Sequence, residues 1–252
     1  MKVVAVYSVK GGVGKTTTAV NLAWEAAKHA RVLLWDLDPQ AASTYLLDVK
    51  PKLKGGAEAL VRGRTKVGQA VRETAFEHLD VLPADESYRE VELALDHARH
   101  STQRLAMVLG DMAKKYDVVV LDCPPGASLL AQNIIRAADV VVLPLQPSPL
   151  SARSLAQVRD IVHAERIRPT VLGFISMADR RKLAHRTAIA ELPRVEKEMT
   201  DVVVPYTVVV ERMGAERAPV ATFAPQAEAS DAFARLWELT ASTLKLRPRG
   251  KR

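Results

Sequence analysis

The sequence predicts an α/β protein: a doubly wound, mostly parallel sheet flanked by helices. Three observations indicate this fold. Short apolar runs recur along the chain, amphipathic helical stretches lie between them, and a glycine-rich loop directly follows the first run. The runs are continuously apolar, which is typical of parallel strands covered by helices on both faces. In such sheets, ligands bind beyond the carboxyl ends of the strands.

The elements follow in order along the chain. Strands are predicted over residues 2–8, 31–37, 79–83, 117–123, 139–145, 170–177 and 201–205. Helices are predicted over residues 16–30, 151–165 and 230–245. Their spacing of apolar residues predicts the buried faces Ala19, Leu22, Ala23 and Ala26 of the first helix and Phe233, Leu236, Trp237 and Leu244 of the last. Segment 48–66, rich in Lys, Arg and Gly, is predicted to be a mobile surface stretch.

Size and composition favour one domain. The 252 residues, of which 48% are hydrophobic, suit a single α/β domain over 1–246, followed by a basic and disordered tail at 247–252. No apolar run approaches the roughly 18 residues needed to span a bilayer. The glycine loop follows the first strand at once, so we expect no removable signal peptide. The single cysteine, Cys123, excludes an internal disulfide and favours the cytoplasm.

The net charge of +7 indicates an anionic partner. Composition alone leaves nucleic acid, an acidic membrane face and an acidic protein open, and a generic solvated surface would also account for a modest excess.

The stretch VKGGVGKTTT (9–18) is the strongest functional signal. Its glycines let successive backbone N–H groups point at phosphate oxygens, and the following helix adds its positive end. The predicted nucleotide-binding residues of this loop are Gly11, Gly12, Val13, Gly14, Lys15, Thr16 and Thr17.

Three polar side chains of this stretch have predicted contacts with the nucleotide or its metal ion. Lys15 reaches the β- and γ-phosphates, the Thr16 hydroxyl is placed to bind Mg²⁺, and Thr17 can bond the α-phosphate. The usual pattern G-x-x-x-x-G-K-[ST] would have glycine at position 9, where this chain has Val9. The strict pattern therefore fails, although the placement between a strand and a helix is retained.

Carboxylates follow two other predicted strands. Asp36 and Asp38 end the second strand, and Asp122 ends the strand VVVLD. A strand end is the usual place for a carboxylate that orients Mg²⁺ in nucleotide hydrolysis. Helix caps or ordinary loop acids are the alternative interpretation.

The segments VKGGVGKTTT, DLDPQ, YDVVVLDCPPG and AADVVVLPLQPSPLSARSL together resemble the ParA/MinD family of deviant Walker-A P-loop ATPases. The resemblance is closest to the small, Soj-like ParA partition ATPases and covers nearly the whole chain. It implies ATP and Mg²⁺ as cofactors, a homodimer formed with ATP, and slow hydrolysis stimulated by a ParB-like or other partner protein.

The resemblance also implies roles for single residues. Lys10 would reach across the dimer to the phosphates of the other subunit's ATP and is counted, with Lys15 and Asp38, among the catalytic residues. Asp38 would position the attacking water, Asp36 would support it and the metal, and Asp122 would hold Mg²⁺. Pro205, in the late loop VPYTVVVERMGAERAPV (204–220), would belong to the nucleotide site. We expect Cys123 to be a packed thiol rather than a nucleophile.

A basic segment, SMADRRKLAHRTA (176–188), resembles the family segment that contacts DNA. The DNA-binding candidates are Arg180, Arg181, Lys182 and Arg186. A solvated basic helix face is the alternative interpretation. The late loop has Val208 where the family often has another DNA-contacting arginine, and Arg212 or Arg217 could compensate.

The resemblance leaves the cargo open: a plasmid, a chromosome or another cellular cargo. Because the chain begins at its first strand, we expect non-specific binding to the nucleoid rather than operator binding.

A MinD-like membrane-associated ATPase is the main alternative. This alternative is disfavoured because the last helix has the pattern of a helix that packs on the core, and because the tail has little apolar area. No stable membrane association is therefore expected. A redox relative would need more cysteines, and a non-catalytic module would not need every catalytic group.

Overall fold

The computed structural model describes residues 1–51, 53–97, 103–148, 150–165 and 169–246. These residues form strands β1 (Lys2–Val6), β2 (Val32–Asp36), β3 (Arg72–Glu73), β4 (Leu79–Leu82), β5 (Val118–Asp122), β6 (Val140–Leu145), β7 (Thr170–Ala178) and β8 (Met199–Pro205). All eight belong to one sheet in the order β3-β4-β2-β5-β1-β6-β7-β8. Every neighbouring pair is parallel except β3 with β4.

Helices connect the strands. The described residues form α1 (Lys15–Ala27), α2 (Ala42–Leu46), α3 (Gly56–Val61), α4 (Val67–Ala70), α5 (Val91–Asp96), α6 (Arg104–Gly110), α7 (Leu129–Ala137), α8 (Ser151–Ala164), α9 (Leu183–Val195), α10 (Val208–Glu211), α11 (Met213–Glu216), α12 (Val220–Phe223) and α13 (Glu228–Thr243). A 3₁₀ helix spans Glu86–Glu90.

The core has two layers, one on each face of the sheet. Alternate residues of β1 face opposite ways, as the pleat of a strand requires: Val4 belongs to one buried cluster and Ala5 to the other. The Val4 layer includes Ala19 of α1 and Phe233 of α13, whereas the Ala5 layer includes residues of α7 and α8. The doubly wound architecture predicted from the sequence is therefore confirmed.

The seven predicted strands and three predicted helices are all present, with ends shifted by a few residues. The predicted inner faces of α1 and of the last helix are buried. Strand β3 was not predicted, because its two residues are too few to give a pattern.

Segment 48–66 differs from the expectation of a surface stretch. It contains α3, whose Ala57, Leu60 and Val61 are buried in the core. The apolar residues of this short helix are outnumbered by the surrounding Lys, Arg and Gly. The composition of the segment therefore predicted a surface stretch instead of a buried helix.

No helix in the described part of the chain is both long and apolar enough to cross a bilayer. The predicted basic tail, 247–252, lies outside the described residues.

Candidate functional site

The glycine-rich loop joins β1 to α1 at the carboxyl edge of the sheet. Two of its glycines need their conformational freedom. Gly12 has φ +68° and Gly14 has φ +92°, and a Cβ on Gly14 would lie 2.9 Å from Ser176 Oγ. Gly14 also caps α1 without any side-chain hydrogen bond, so the first N–H groups of the helix remain available to an anion.

Lys15 is buried at the start of α1, with 7% of its surface exposed. Its Nζ donates a hydrogen bond of 2.9 Å to the carbonyl of Lys10, so the loop itself holds the ammonium in place. Burial lowers the pKa of Lys15, and the nearby carboxylate of Asp122 opposes that shift. Lys10 takes part in this contact only through its carbonyl oxygen. The amide of Lys10 donates a hydrogen bond of 3.3 Å to Ser8 Oγ. The half-buried Lys10 side chain is not part of either bond.

Asp36 and Asp122 lie side by side, because β2 and β5 are neighbouring parallel strands that pair these two residues in register. Both are fully buried. Burial raises the pKa of each carboxyl group, and the adjacent Asp36 raises that of Asp122 further.

Two hydroxyl residues of α2 fix these carboxylates. Ser43 Oγ donates to Asp122 Oδ2 at 2.7 Å. Thr44 donates to Asp36 Oδ2 from both its amide, at 2.9 Å, and its Oγ1, at 2.8 Å. The Thr16 hydroxyl of α1 lies near Asp122 and opposes the rise in the pKa of that carboxyl group. Ser43 and Thr44 were not predicted from the sequence, where their signal is a pair of small hydroxyl residues shortly after DLDPQ.

The donor set fits Mg²⁺. Asp122 Oδ1 is buried and has no hydrogen-bond partner among the described residues, although such an atom normally has one. No group of three or more His, Cys, Asp or Glu residues in the described ranges could hold a metal by itself. Mg²⁺ suits such a site, since it commonly takes one or two carboxylates and completes its shell with water and substrate phosphates.

Asp38 lies two residues beyond β2 and is only half-buried. Its amide donates to Asp36 Oδ1 at 3.2 Å, and its own Oδ1 accepts from the amide of Gln40 at 2.9 Å. The carboxylate is thus oriented by its own loop and anchored to the buried Asp36.

The segment after β5 is bonded to the glycine-rich phosphate loop, residues 7–14 between β1 and α1. Gly126 donates its amide to the carbonyl of Val9 at 3.0 Å, and Tyr7 Oη donates to the carbonyl of Gly126 at 2.8 Å. Burial raises the pKa of Tyr7 to about 12, which keeps the hydroxyl a donor. Cys123, which lies between β5 and Gly126, is fully buried. Burial raises the pKa of its thiol well above the usual range, as expected for a packed thiol.

A cavity of 340 Å³ opens beside the phosphate loop. Thr17 and Pro205, both predicted from the sequence, lie on its wall together with Leu46 and Met213, which were missed. Asn21 connects α1 to the late loop: its Nδ2 donates to the carbonyl of Thr17 at 2.7 Å, and its Oδ1 accepts from the amide of Val220 at 2.8 Å. The cavity has the size and mostly apolar lining suited to a planar base.

A larger cavity, of 760 Å³, runs along α9 and includes Leu183, Ala188 and Val195 in its lining. Its lining includes neither the glycine-rich loop nor Asp36, Asp38 and Asp122, so the larger cavity does not coincide with the candidate site.

The predicted DNA-binding residues follow β7 and are all exposed. Arg181 is paired with Asp179 through two hydrogen bonds, of 2.9 and 3.0 Å, and Arg180 pairs with Glu228 at 3.1 Å. The Arg186 guanidinium bonds the carbonyls of Arg180 and Arg181, and Lys182 precedes α9 as its N-cap residue. The structure brings the four together, but two of the positive charges face acidic partners.

A glycine loop at the carboxyl edge of a parallel sheet, a buried lysine behind it and paired carboxylates on adjacent strands define a P-loop nucleotide-binding protein. The AAA domain family matches residues 1–169. The chain is 32% identical over 216 residues to the chromosome partitioning protein ParA of Myxococcus xanthus (strain DK1622), covering 82% of this chain and 76% of the relative. It is 32% identical over 248 residues to ParA of Caulobacter vibrioides (strain NA1000 / CB15N), covering 94% and 92%. The chain belongs to the ParA/MinD family of deviant Walker-A P-loop ATPases.

Solved structures share the fold. The Cyanothece McdA(D38A)–ATP complex superposes with a TM-score of 0.84 at 19% identity, covering 100% of this chain and 99% of the other. The septum site-determining protein MinD of Pyrococcus horikoshii OT3, complexed with Mg-ADP, gives a TM-score of 0.76 at 22% identity and covers 95% of each chain. At these identities the likeness concerns the fold alone.

Proposed function

We propose that this chain is an ATP-driven positioning switch. It binds ATP with Mg²⁺, pairs with a second copy of itself, holds DNA without regard to sequence, and releases DNA after hydrolysis. The observation that carries the proposal is the buried Asp122 Oδ1, which has no hydrogen-bond partner among the described residues, on a carboxylate that Ser43 already orients beside the phosphate loop. The cytoplasm, with the nucleoid as the DNA surface, is the proposed location.

The loop and Lys15 bind the triphosphate. The glycine amides and the start of α1 direct N–H groups at the phosphate oxygens, and the Lys15 ammonium adds a full charge. Thr17 and Pro205 line the cavity proposed for the rest of the nucleotide. Arriving phosphates offer Lys15 a stronger acceptor than the Lys10 carbonyl that it bonds here.

The carboxylates complete the site. Thr16 and Asp122 would hold Mg²⁺, with Asp36 behind them, since both of its oxygens accept hydrogen bonds from the chain. When bound, the ion neutralises phosphate charge and orients the terminal phosphate. Asp38 accepts a hydrogen bond from the attacking water and so directs it. Turnover is slow without a ParB-like or other activating partner, because the segments VKGGVGKTTT, DLDPQ and DCPPG contain no arginine that could neutralise developing charge.

Lys10 supports the dimer. Its backbone is used by Ser8 and Lys15, so its side chain can extend away from its own loop toward a facing nucleotide. ATP held between two subunits then becomes part of their interface, and loss of the terminal phosphate removes that contact. Dimerisation doubles the number of basic side chains that can contact DNA phosphates. The affinity for DNA rises steeply with the number of phosphates neutralised.

The test is light scattering of Asp38→Ala protein with ATP and Mg²⁺. We expect a dimer with ATP and a monomer with ADP. Adding Lys10→Ala should return the protein to a monomer while ATP still binds, because only the cross-subunit charge is lost. Lys28→Ala is the matched control, since Lys28 pairs with Glu25 at the far end of α1.

A Lys10→Ala, Asp38→Ala protein that dimerises normally would refute the role of Lys10. Capture of the ATP form by anionic vesicles, with no binding to DNA at low salt, would favour the membrane-associated alternative.

A further inference from the structure

Helix α2 contacts both ends of the candidate site. Ser43 and Thr44 bond the carboxylates of Asp122 and Asp36, and Leu46, at the other end of the helix, lines the 340 Å³ cavity. Asp38 lies only four residues before α2 begins. The position of α2 therefore affects the carboxylates, the Asp38 loop and the cavity together.

This helix is too short to hold its own shape. It has five residues and no side-chain hydrogen bond at its N-cap. Its flanking residues Ala41 and Asp48 have φ +53° and +54°, which is costly for residues with a Cβ. Isolated helices of this length are unstable in water, so contacts from elsewhere must hold it.

Arg217 supplies three such contacts. Its Nε donates to the carbonyl of Tyr45 at 3.0 Å, its guanidinium lies over the Tyr45 ring at 4.5 Å, and it forms an ion pair with Asp48. A cation at the C-terminal end of a helix also matches the helix dipole. The planar guanidinium is suited to bonding and stacking at once, which a lysine cannot do.

Arg217 is equally fixed to the segment that lines the cavity. It ends α11 in the left-handed conformation, with φ +49°, and its amide bonds the carbonyl of Met213 at 2.9 Å. Met213 and Gly214 line the cavity. The Tyr45 hydroxyl approaches the Gly214 carbonyl at 3.4 Å. Arg217 thus joins the wall of the cavity to α2, a use that differs from the DNA contact considered for it from the sequence.

We propose that Arg217 is a positioning residue that couples occupation of the cavity by the nucleobase to the placement of α2 and, through it, of the carboxylates and Asp38. The proposal rests on the proposed nucleotide function. Arg217 acts through Tyr45 and Asp48.

The test is amide hydrogen exchange of residues 42–48 with ADP and without Mg²⁺, so that no metal orders α2 directly. In the wild type, ADP should slow exchange there by about fivefold or more, a typical coupling between sites. Inorganic pyrophosphate, which fills the loop but not the cavity, should have little effect. In Arg217→Ala, ADP should still bind but the slowing should be lost.

Two further variants separate coupling from loss of structure. Arg217→Lys retains the charge beside Asp48 but not the stacked fork, so it should recover only part of the slowing. Arg212→Ala is the matched control: Arg212 lies in the same loop, bonds Glu216 and stacks on Phe223 at 5.2 Å, and should behave as wild type.

The outcomes distinguish the two proposals. If the wild type binds neither ADP nor ATP, the proposed function is wrong. If ADP binds and protects residues 42–48 in Arg217→Lys as fully as in the wild type, or if pyrophosphate protects them equally well, the coupling is wrong. Unfolding of Arg217→Ala does not affect this test, because Arg217→Lys retains the ion pair.

Discussion

The phosphate end of the molecule and the basic segment after β7 handle charge in opposite ways. Around the phosphate loop, Lys15, Asp36 and Asp122 are buried, and neighbouring atoms fix their geometry before a ligand arrives. In the basic segment, Arg181 is 88% exposed at its side chain and is paired with Asp179. The first region is organised for one ligand with fixed geometry, whereas the second has charge that its own acids partly neutralise.

The difference matters because the two environments give charges different weights. A buried ionic contact is barely screened by salt, but an exposed one is worth little and weakens as salt rises. Substitutions at the phosphate end should therefore have large effects that salt hardly changes. Substitutions in the basic segment should have small effects that salt controls.

The largest expected effect is that of Lys15→Ala. Loss of a buried ammonium from a phosphate contact should cost about 3 kcal/mol, or about 100-fold in ATP affinity. Calorimetric titration measures it, with Lys28→Ala on the same helix as the control. If the affinity loss shrank severalfold between low and high salt, the contrast between the two regions would fail.

Asp38→Ala should come next. In the proposed mechanism the attacking water loses the carboxylate that orients it, so turnover should fall by about 50-fold, while ATP affinity changes little. Phosphate release measures turnover, and fluorescence of a labelled ATP measures binding. Asp38→Asn keeps the size of the side chain and should be equally slow. Normal turnover in either variant would assign the water to another residue.

The smallest effects concern DNA. Asp179→Asn should strengthen ATP-dependent DNA binding by about twofold to fivefold, since a surface pair is worth under about 1 kcal/mol and its removal frees Arg181 for phosphate. Arg181→Glu should weaken DNA binding, most strongly at low salt, and leave the ATP dimer intact. Fluorescence anisotropy over a salt series measures both.

The matched control for these DNA variants is Arg235→Glu, on α13, which makes the same charge change at an exposed pair elsewhere. If it weakened DNA binding as much as Arg181→Glu, net charge rather than the basic segment would explain the binding. If Asp179→Asn weakened DNA binding, the Asp179–Arg181 pair would serve to hold the conformation of the basic segment and not to neutralise the charge of Arg181.

The same contrast explains what could be predicted from the sequence. The loop around Lys15 and the acids at two strand ends follow from spacing, since the topology of a parallel sheet brings strand ends together. Ser43 and Thr44 lie in a five-residue helix, which is too short for a periodic signal. The cavity joins Thr17, Leu46 and Met213 from distant parts of the chain, and the Asp179–Arg181 pair depends on loop geometry. Neither arrangement leaves a pattern in the sequence.

The bonds at Gly126 have a consequence for chain length. Asp122 is fixed by β5 and by the hydroxyl of Ser43, and Gly126 is fixed by Val9 and Tyr7. Between them lie only Cys123, Pro124 and Pro125, and the two proline rings each hold φ near −65°. Gly126 itself has φ +108°, which residues with a Cβ rarely adopt. This connection is a stiff spacer of set length. Inserting or deleting a single residue within it would therefore shift the Asp122 carboxylate relative to the phosphate loop, whereas the same change in an exposed loop would be tolerated.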